Sequence, residues 1–152
     1  MTRRGASKKS IGAVPAEPPT TSVALTSKQQ LSIHLWEASD GRKIVIGELQ
    51  DLERKNPGSG AALHACAKRI KAGTLRPADV LSLKGTELLE MRVEVGNRQF
   101  RLLYVLEQTA DADVALILCL YPFTKSERTP PTAVRTAESR LTEYRSRRPG
   151  VA

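Results

Sequence analysis

Arg92 and Arg101 are the residues from which chemistry is most readily argued. Leu89, Met91, Val93 and Val95 alternate with Glu90, Arg92 and Glu94, the pattern of a half-buried strand, and Gly96-Asn97 supplies a two-residue hairpin turn. The following run places Phe100, Leu102, Tyr104 and Leu106 on one face and Gln99, Arg101, Leu103 and Val105 on the other. With Gly96 and Asn97 as the loop, Val95 faces Arg98, and Val93–Phe100, Met91–Leu102 and Leu89–Tyr104 pair on the core face. Arg92 then stands directly across from Arg101 on the opposite face. Like charges at that spacing repel. An anion held between them is one resolution, and neutralisation by Glu90 and Glu94 on the same face is the other.

A third strand sharpens the first alternative. Val114–Tyr121 is almost wholly apolar, as in a central strand covered on both faces, with Pro122 closing it. If it returns antiparallel through the polar loop Glu107–Asp113, its end comes back towards Arg98 and Arg101, with Lys125 and Arg128 just beyond. Arg92, Arg98, Arg101, Lys125 and Arg128 are then expected on one exposed sheet face. Phe123 and Tyr121 offer a stacking surface there or, for Phe123, a core side chain. Charged forks beside an aromatic suit RNA backbone and splayed bases.

Other chemistries find no purchase. The sequence has no phosphate-binding glycine loop, dinucleotide fingerprint, serine elbow or metal-ligand cluster, so no cofactor and no metal are expected. His34 and His64 are far in sequence from the basic residues. Cys66 and Cys119 lie on apolar runs and read as small core residues. What remains is electrostatic stabilisation of a phosphorane by arginine and lysine. RNA brings its own nucleophile, the 2′-hydroxyl, so such a site cleaves RNA and spares DNA.

The elements that must carry these residues are also legible. Leu31, Ile33 and Leu35 alternate with Ser32, His34 and Trp36 as a first strand, closed by a turn at Ser39-Asp40-Gly41. Val45, Leu49 and Leu52 mark a helix ended by Asn56-Pro57-Gly58. Leu63, Cys66, Ala67 and Ile70 mark a second, with Gly73 at its C-terminus. Pro130-Pro131 opens a last helix with Val134, Ala137, Leu141 and Tyr144 inward. The expected order is strand, two helices, three strands, helix. At 152 residues this makes one α+β domain, spanning 29–146. Residues 1–28, basic and Pro-rich, read as a flexible arm, and 147–152 as a frayed end.

Composition bounds the partners. Twenty-four Lys and Arg against sixteen Asp and Glu leave a net charge of +8, which favours a polyanionic partner. No run approaches the ~20 apolar residues of a membrane helix. Two cysteines and two histidines exclude a disulfide scaffold and argue against an all-protein zinc site. The expectation is a cytoplasmic protein with no membrane partner and no small-molecule cofactor.

Several segments in order carry a likeness to a known family. They are Ser82-Leu83-Lys84-Gly85, Leu89-Glu90-Met91-Arg92-Val93, Gln99-Phe100-Arg101-Leu102-Leu103-Tyr104, Leu120-Tyr121-Pro122-Phe123-Thr124-Lys125, Thr129-Pro130, and the helix Ala137–Tyr144. From Ile44 to Arg145 the chain resembles the phage-derived, HigB-like host-inhibition toxins of the RelE/ParE superfamily. The resemblance implies a small α+β domain with an antiparallel sheet, two N-terminal helices and a C-terminal helix. It implies a metal-independent endoribonuclease that cuts mRNA on the ribosome and a cognate helix-turn-helix antitoxin. Arg101 stands at the arginine of the family's Tyr-Arg-x-x-Tyr strand, with Phe100 replacing the first aromatic. Arg92 matches the arginine of the preceding Trp-Glu-Leu-Arg strand, with Leu89 replacing the tryptophan. Lys125 matches the first lysine of a Phe-x-Lys-Lys motif, and Ser126 replaces the second. Ribosome-dependent relatives often carry a Tyr or His after that motif, whereas Thr129–Val134 has neither. On this reading Arg101 and Lys125 are catalytic. Arg92, Arg98 and Phe123 bind RNA, with Lys84 and Arg128 peripheral. The alternatives are a ParE-like DNA gyrase inhibitor and a non-catalytic phage accessory protein that binds nucleic acid.

Overall fold

The computed structural model describes residues 30–74, 79–125 and 129–147. The basic arm, Arg128 and residues 148–152 lie outside the described residues. The fold is α+β, with a five-stranded sheet in the order β1-β5-β4-β3-β2. Along the chain these are β1 (Gln30–Leu35), α1 (Ile44–Lys55), α2 (Ser59–Ala72), β2 (Val80–Ser82), β3 (Leu89–Val95), β4 (Arg98–Gln108), β5 (Val114–Lys125) and α3 (Pro131–Ser146).

The β3–β4 hairpin adopts the expected register, with Val95 opposite Arg98, Val93 opposite Phe100 and Arg92 opposite Arg101. Gly96, at φ 62°, takes the left-handed turn position that β-branched residues avoid. Three expectations are corrected. The sheet is mixed and not antiparallel, because β1 runs parallel to β5, Gln30 beside Val114 and Leu35 beside Cys119. β2, three residues long and paired with β3, adds a fifth strand too short to show alternation. Pro122 does not close β5. The strand bulges at Leu120, where the β4 register jumps between Leu103 and Tyr104, and continues to Lys125. Beyond Cys119 that strand has left β1 behind, and proline is tolerated beside a bulge on an edge.

The helices lie on both faces of the sheet. On one, α1 and α2 cover Ile33, Leu35, Leu102 and Cys119. Val45, Leu63, Cys66 and Ala67 point into the core there. α2 ends in a two-bond cap, in which Gly73 N–H donates to Ile70 and Thr74 N–H to Arg69, with Gly73 at φ 75°. Its N-terminus is capped from α1, since Glu53 accepts from the backbone N–H of Gly58 at 2.7 Å and of Ala61 at 3.1 Å. On the other face α3 buries Ala133, Ala137 and Leu141. No helix among the described residues is long and apolar enough to cross a membrane.

Candidate basic cleft

The α3-side face carries the alternate positions of β3, β4 and β5, so Glu90, Arg92, Glu94, Gln99 and Arg101 share it with Phe123 and Lys125. Because α3 and Thr129 lie over this face, it is not open. Glu90 is fully buried and Arg101 is 2% exposed. Arg101 Nε lies 3.3 Å and Lys125 Nζ 3.8 Å from Glu90 Oε1, and the Thr129 hydroxyl donates to Glu90 Oε2. One buried carboxylate thus gathers both residues expected to be catalytic.

The Arg101 guanidinium is held on three sides. Beyond its ion pair with Glu90, it donates to the Phe100 carbonyl at 3.0 Å and to the side-chain oxygen of exposed Gln99. Burial pulls its pKa below the ordinary arginine value, against the opposing pull of Glu90, and Arg92 pushes the same way as burial. Lys125 is lowered for the same first reason, with Glu90 opposing and Arg101 and Arg92 adding to the fall. Arg92 is within electrostatic reach of both.

A cleft of about 550 Å³ opens beside this group and wraps the outer edge of β3. Arg69, Arg92 and Arg101 line it from α2, β3 and β4, together with Gln99, Asp79 and Glu94. From Arg92 onwards β3 has no partner on that edge among the described residues, because β2 begins opposite Met91.

Not every candidate residue joins the cleft. Arg98 pairs with Val95 and so points to the face of Phe100, opposite to Arg101. Its Nη1 donates to Asn56 Oδ1 at 3.3 Å, beside Lys55 in a separate cleft at the hairpin tip. The expectation of one shared exposed face is corrected accordingly. Alternation itself demands this, since Arg98 and Arg101 are an odd number of residues apart. Lys84 is exposed in the β2–β3 turn, beyond the far end of β3 from the hairpin tip. Phe123 is 8% exposed and packs against Tyr121, ring centres 6.0 Å apart and 17° from parallel. That stack is internal to the fold. Arg140 covers Tyr121 at 5.2 Å and Trp36 at 5.0 Å while binding Glu48 through two hydrogen bonds of 2.7 Å. Trp36 Nε1 in turn donates to Glu143 at 3.1 Å.

The cysteines sit in the core as expected, and burial pushes the Cys119 thiol up to about 12. Among the described residues no three His, Cys, Asp or Glu side chains cluster as metal ligands. Arg69 and Gln99 were not singled out from the sequence. The signal for Arg69 was present, since Ala62, Ala65 and Arg69 follow helical spacing and leave a shallow stripe ending in a cation. No family model, curated protein or solved structure matches this chain.

Proposed function

We propose that this chain is a RelE/HigB-like toxin, a metal-independent endoribonuclease that cuts mRNA on the ribosome and is neutralised by a helix-turn-helix antitoxin. One observation carries the reading. Arg101 and Lys125, from neighbouring strands, converge on a single buried carboxylate beside a cleft that also holds Arg92. Three cations there face two carboxylates, Glu90 and Glu94, so the group retains an excess of positive charge. Arg101 has five N–H groups, and its contacts with Glu90, Phe100 and Gln99 leave donors over. Gln99 is exposed, and its amide oxygen sits where a phosphate oxygen would compete for the guanidinium.

In the proposed reaction the 2′-hydroxyl of RNA attacks the adjacent phosphorus and the bond to the 5′-oxygen breaks. The products are a 2′,3′-cyclic phosphate and a 5′-hydroxyl. Arg101 and Lys125 stabilise the charge that grows on the phosphorane, and Arg92 holds the backbone. Glu90 does not reach the substrate. It keeps two cationic heads together that would otherwise separate, and so acts as a positioning residue. Loss of one such donor costs ~10²–10³ in rate.

The test is a reporter mRNA on translating ribosomes without added metal. Wild type should cut it, and Arg101→Ala or Lys125→Ala should each lose at least a hundredfold while remaining folded. A 2′-deoxy substitution at the scissile nucleotide should block cutting. An intact message with wild type, or equal cutting of the deoxy substrate, overturns the nuclease. Inhibition of DNA supercoiling with the message intact would replace it with the gyrase reading.

A further inference from the structure

The cleft contains a third guanidinium that the hairpin does not supply. Arg69 enters from α2, one turn after Ala65, and lines the cleft together with Arg92 and Arg101. Its surroundings leave it under-used. Nη2 forms an ion pair with Asp79 Oδ2 at 3.6 Å, beyond hydrogen-bond range, and the head also offers a hydrogen bond to the Cys66 sulfur, a weak acceptor. The buried Nε–H has no acceptor among the described residues. A buried donor left without an acceptor is a destabilising feature that an arriving ligand can relieve. Arg101, whose Nε lies near Glu90 without a hydrogen bond, is the second such guanidinium in the same cleft.

The shape agrees with the charge. Ala62 and Ala65 precede Arg69 on one helical stripe, and their methyl groups leave the space that makes the cleft. Longer side chains at either position would fill it. The opposite wall is the unpaired edge of β3 at Arg92–Glu94. An extended phosphodiester can pass along such an edge, with guanidiniums on both sides of it.

We infer that Arg69 is a phosphate-binding residue of this cleft, gripping the RNA backbone from α2 while Arg92 and Arg101 hold it from the sheet. The inference rests on reading the cleft as an RNA-backbone site, and it adds a helix-borne contact. Arg69 holds the strand and takes no part in the bond-breaking step.

Binding is measured with the full chain and a fluorescein-labelled, fully 2′-O-methylated single-stranded oligoribonucleotide, which cannot be cut. Anisotropy is read at several salt concentrations. Arg69→Gln should weaken binding roughly tenfold and flatten the salt dependence by about 0.7, the value for one single-stranded phosphate contact. Arg69→Lys should recover the salt dependence. Lys71→Gln removes an equal charge from the exposed side of α2 and should change affinity less than about twofold. Ala65→Leu changes no charge, sits at an exposed position, and should weaken binding by filling the cleft. Arg69→Gln binding no more weakly than Lys71→Gln, or Ala65→Leu binding as wild type, overturns the assignment. Should Arg69→Gln fail to fold, Ala65→Leu alone decides. Cutting of unmodified message separates the two readings. A wild type that cuts, with Arg69→Gln cutting and binding equally well, removes Arg69 and leaves the nuclease. Arg69-dependent binding without cutting removes the nuclease and leaves Arg69. A wild type that does not bind the probe overturns the Arg69 assignment.

Discussion

Two ionic groups lie on the same face of the sheet, one centred on the middle of β3 and one just before its start. In the first, Arg101 and Lys125 share the Glu90 carboxylate at 3.3 and 3.8 Å, with Arg92 close by. In the second, Arg145 of α3 stands between two carboxylates. It makes four hydrogen bonds of 2.8–3.0 Å to Glu87 and Glu107. The first group has too many cations and imperfect geometry. Among the described residues the second has one cation between two carboxylates, with paired contacts to both. Those hydrogen bonds hold Arg145 above its ordinary pKa, whereas burial holds Arg101 and Lys125 below theirs. A satisfied network pins α3 to the sheet and has little left to offer a ligand. An unsatisfied one retains donors, and only there does a ligand gain by arriving.

The sharpest way to break this comparison is Glu90→Gln. It leaves buried Arg101 and partly buried Lys125 with only the exposed Glu94 carboxylate in reach, and removing one partner of a buried pair costs about 3–5 kcal/mol. Urea unfolding checks this, and a loss below ~1 kcal/mol would mean that the cations relax to solvent unaided. Next in size is Arg145→Met. It takes from Glu107, which is 4% exposed, its two hydrogen bonds to Arg145, while Glu87 can turn to water, so about 2 kcal/mol is expected. An equal loss in both groups would erase the distinction.

Alkaline titration probes the contrast without disrupting it. A lysine whose folded pKa is lowered releases its proton before the unfolded chain does. Between that lowered value and the ordinary 10.5, the unfolded state therefore holds more protons, and stability rises with pH. Wild type should gain on Lys125→Met across that window. A flat difference between the two would deny that burial strains the cationic group. The smallest effect belongs to Lys84→Ala, in the exposed turn next to the Arg145 group. Its stability change should stay within ~0.5 kcal/mol, and cutting of the reporter message should fall far less than with Arg101→Ala.

What the sequence revealed depended on how local the cause was. Alternation and the Gly96-Asn97 turn specify the β3–β4 register, because a one-residue slip would move Phe100 and Leu102 off the core. The same alternation identifies β1 as a strand but says nothing of its direction, which only its neighbour β5 decides. The bulge at Leu120 has no sequence mark, and without it Pro122 reads as a stop. Arg92, Arg101 and Lys125 were legible as a group. The burial of Arg101 and Glu90 was not, because Thr129 and α3, which lie over that face, come later in the chain. Arg69 reaches the group only through the packing of α2 on β3.

The parallel pairing of β1 with β5 has a consequence for the order of assembly. Gln30 meets Val114 and Leu35 meets Cys119, so the first described strand acquires its sheet neighbour only when the last strand exists. Contacts so distant along the chain are slow to form, because the loop between them must close first. During synthesis the β3–β4 hairpin can form while β1 still lacks a partner. Trp36, the only tryptophan, follows β1 directly, takes its backbone acceptor from Cys119 and is bonded and covered by Glu143 and Arg140 of α3. Its fluorescence is therefore a built-in clock for the final closure, and it should reach its native value later than the circular dichroism of the helices.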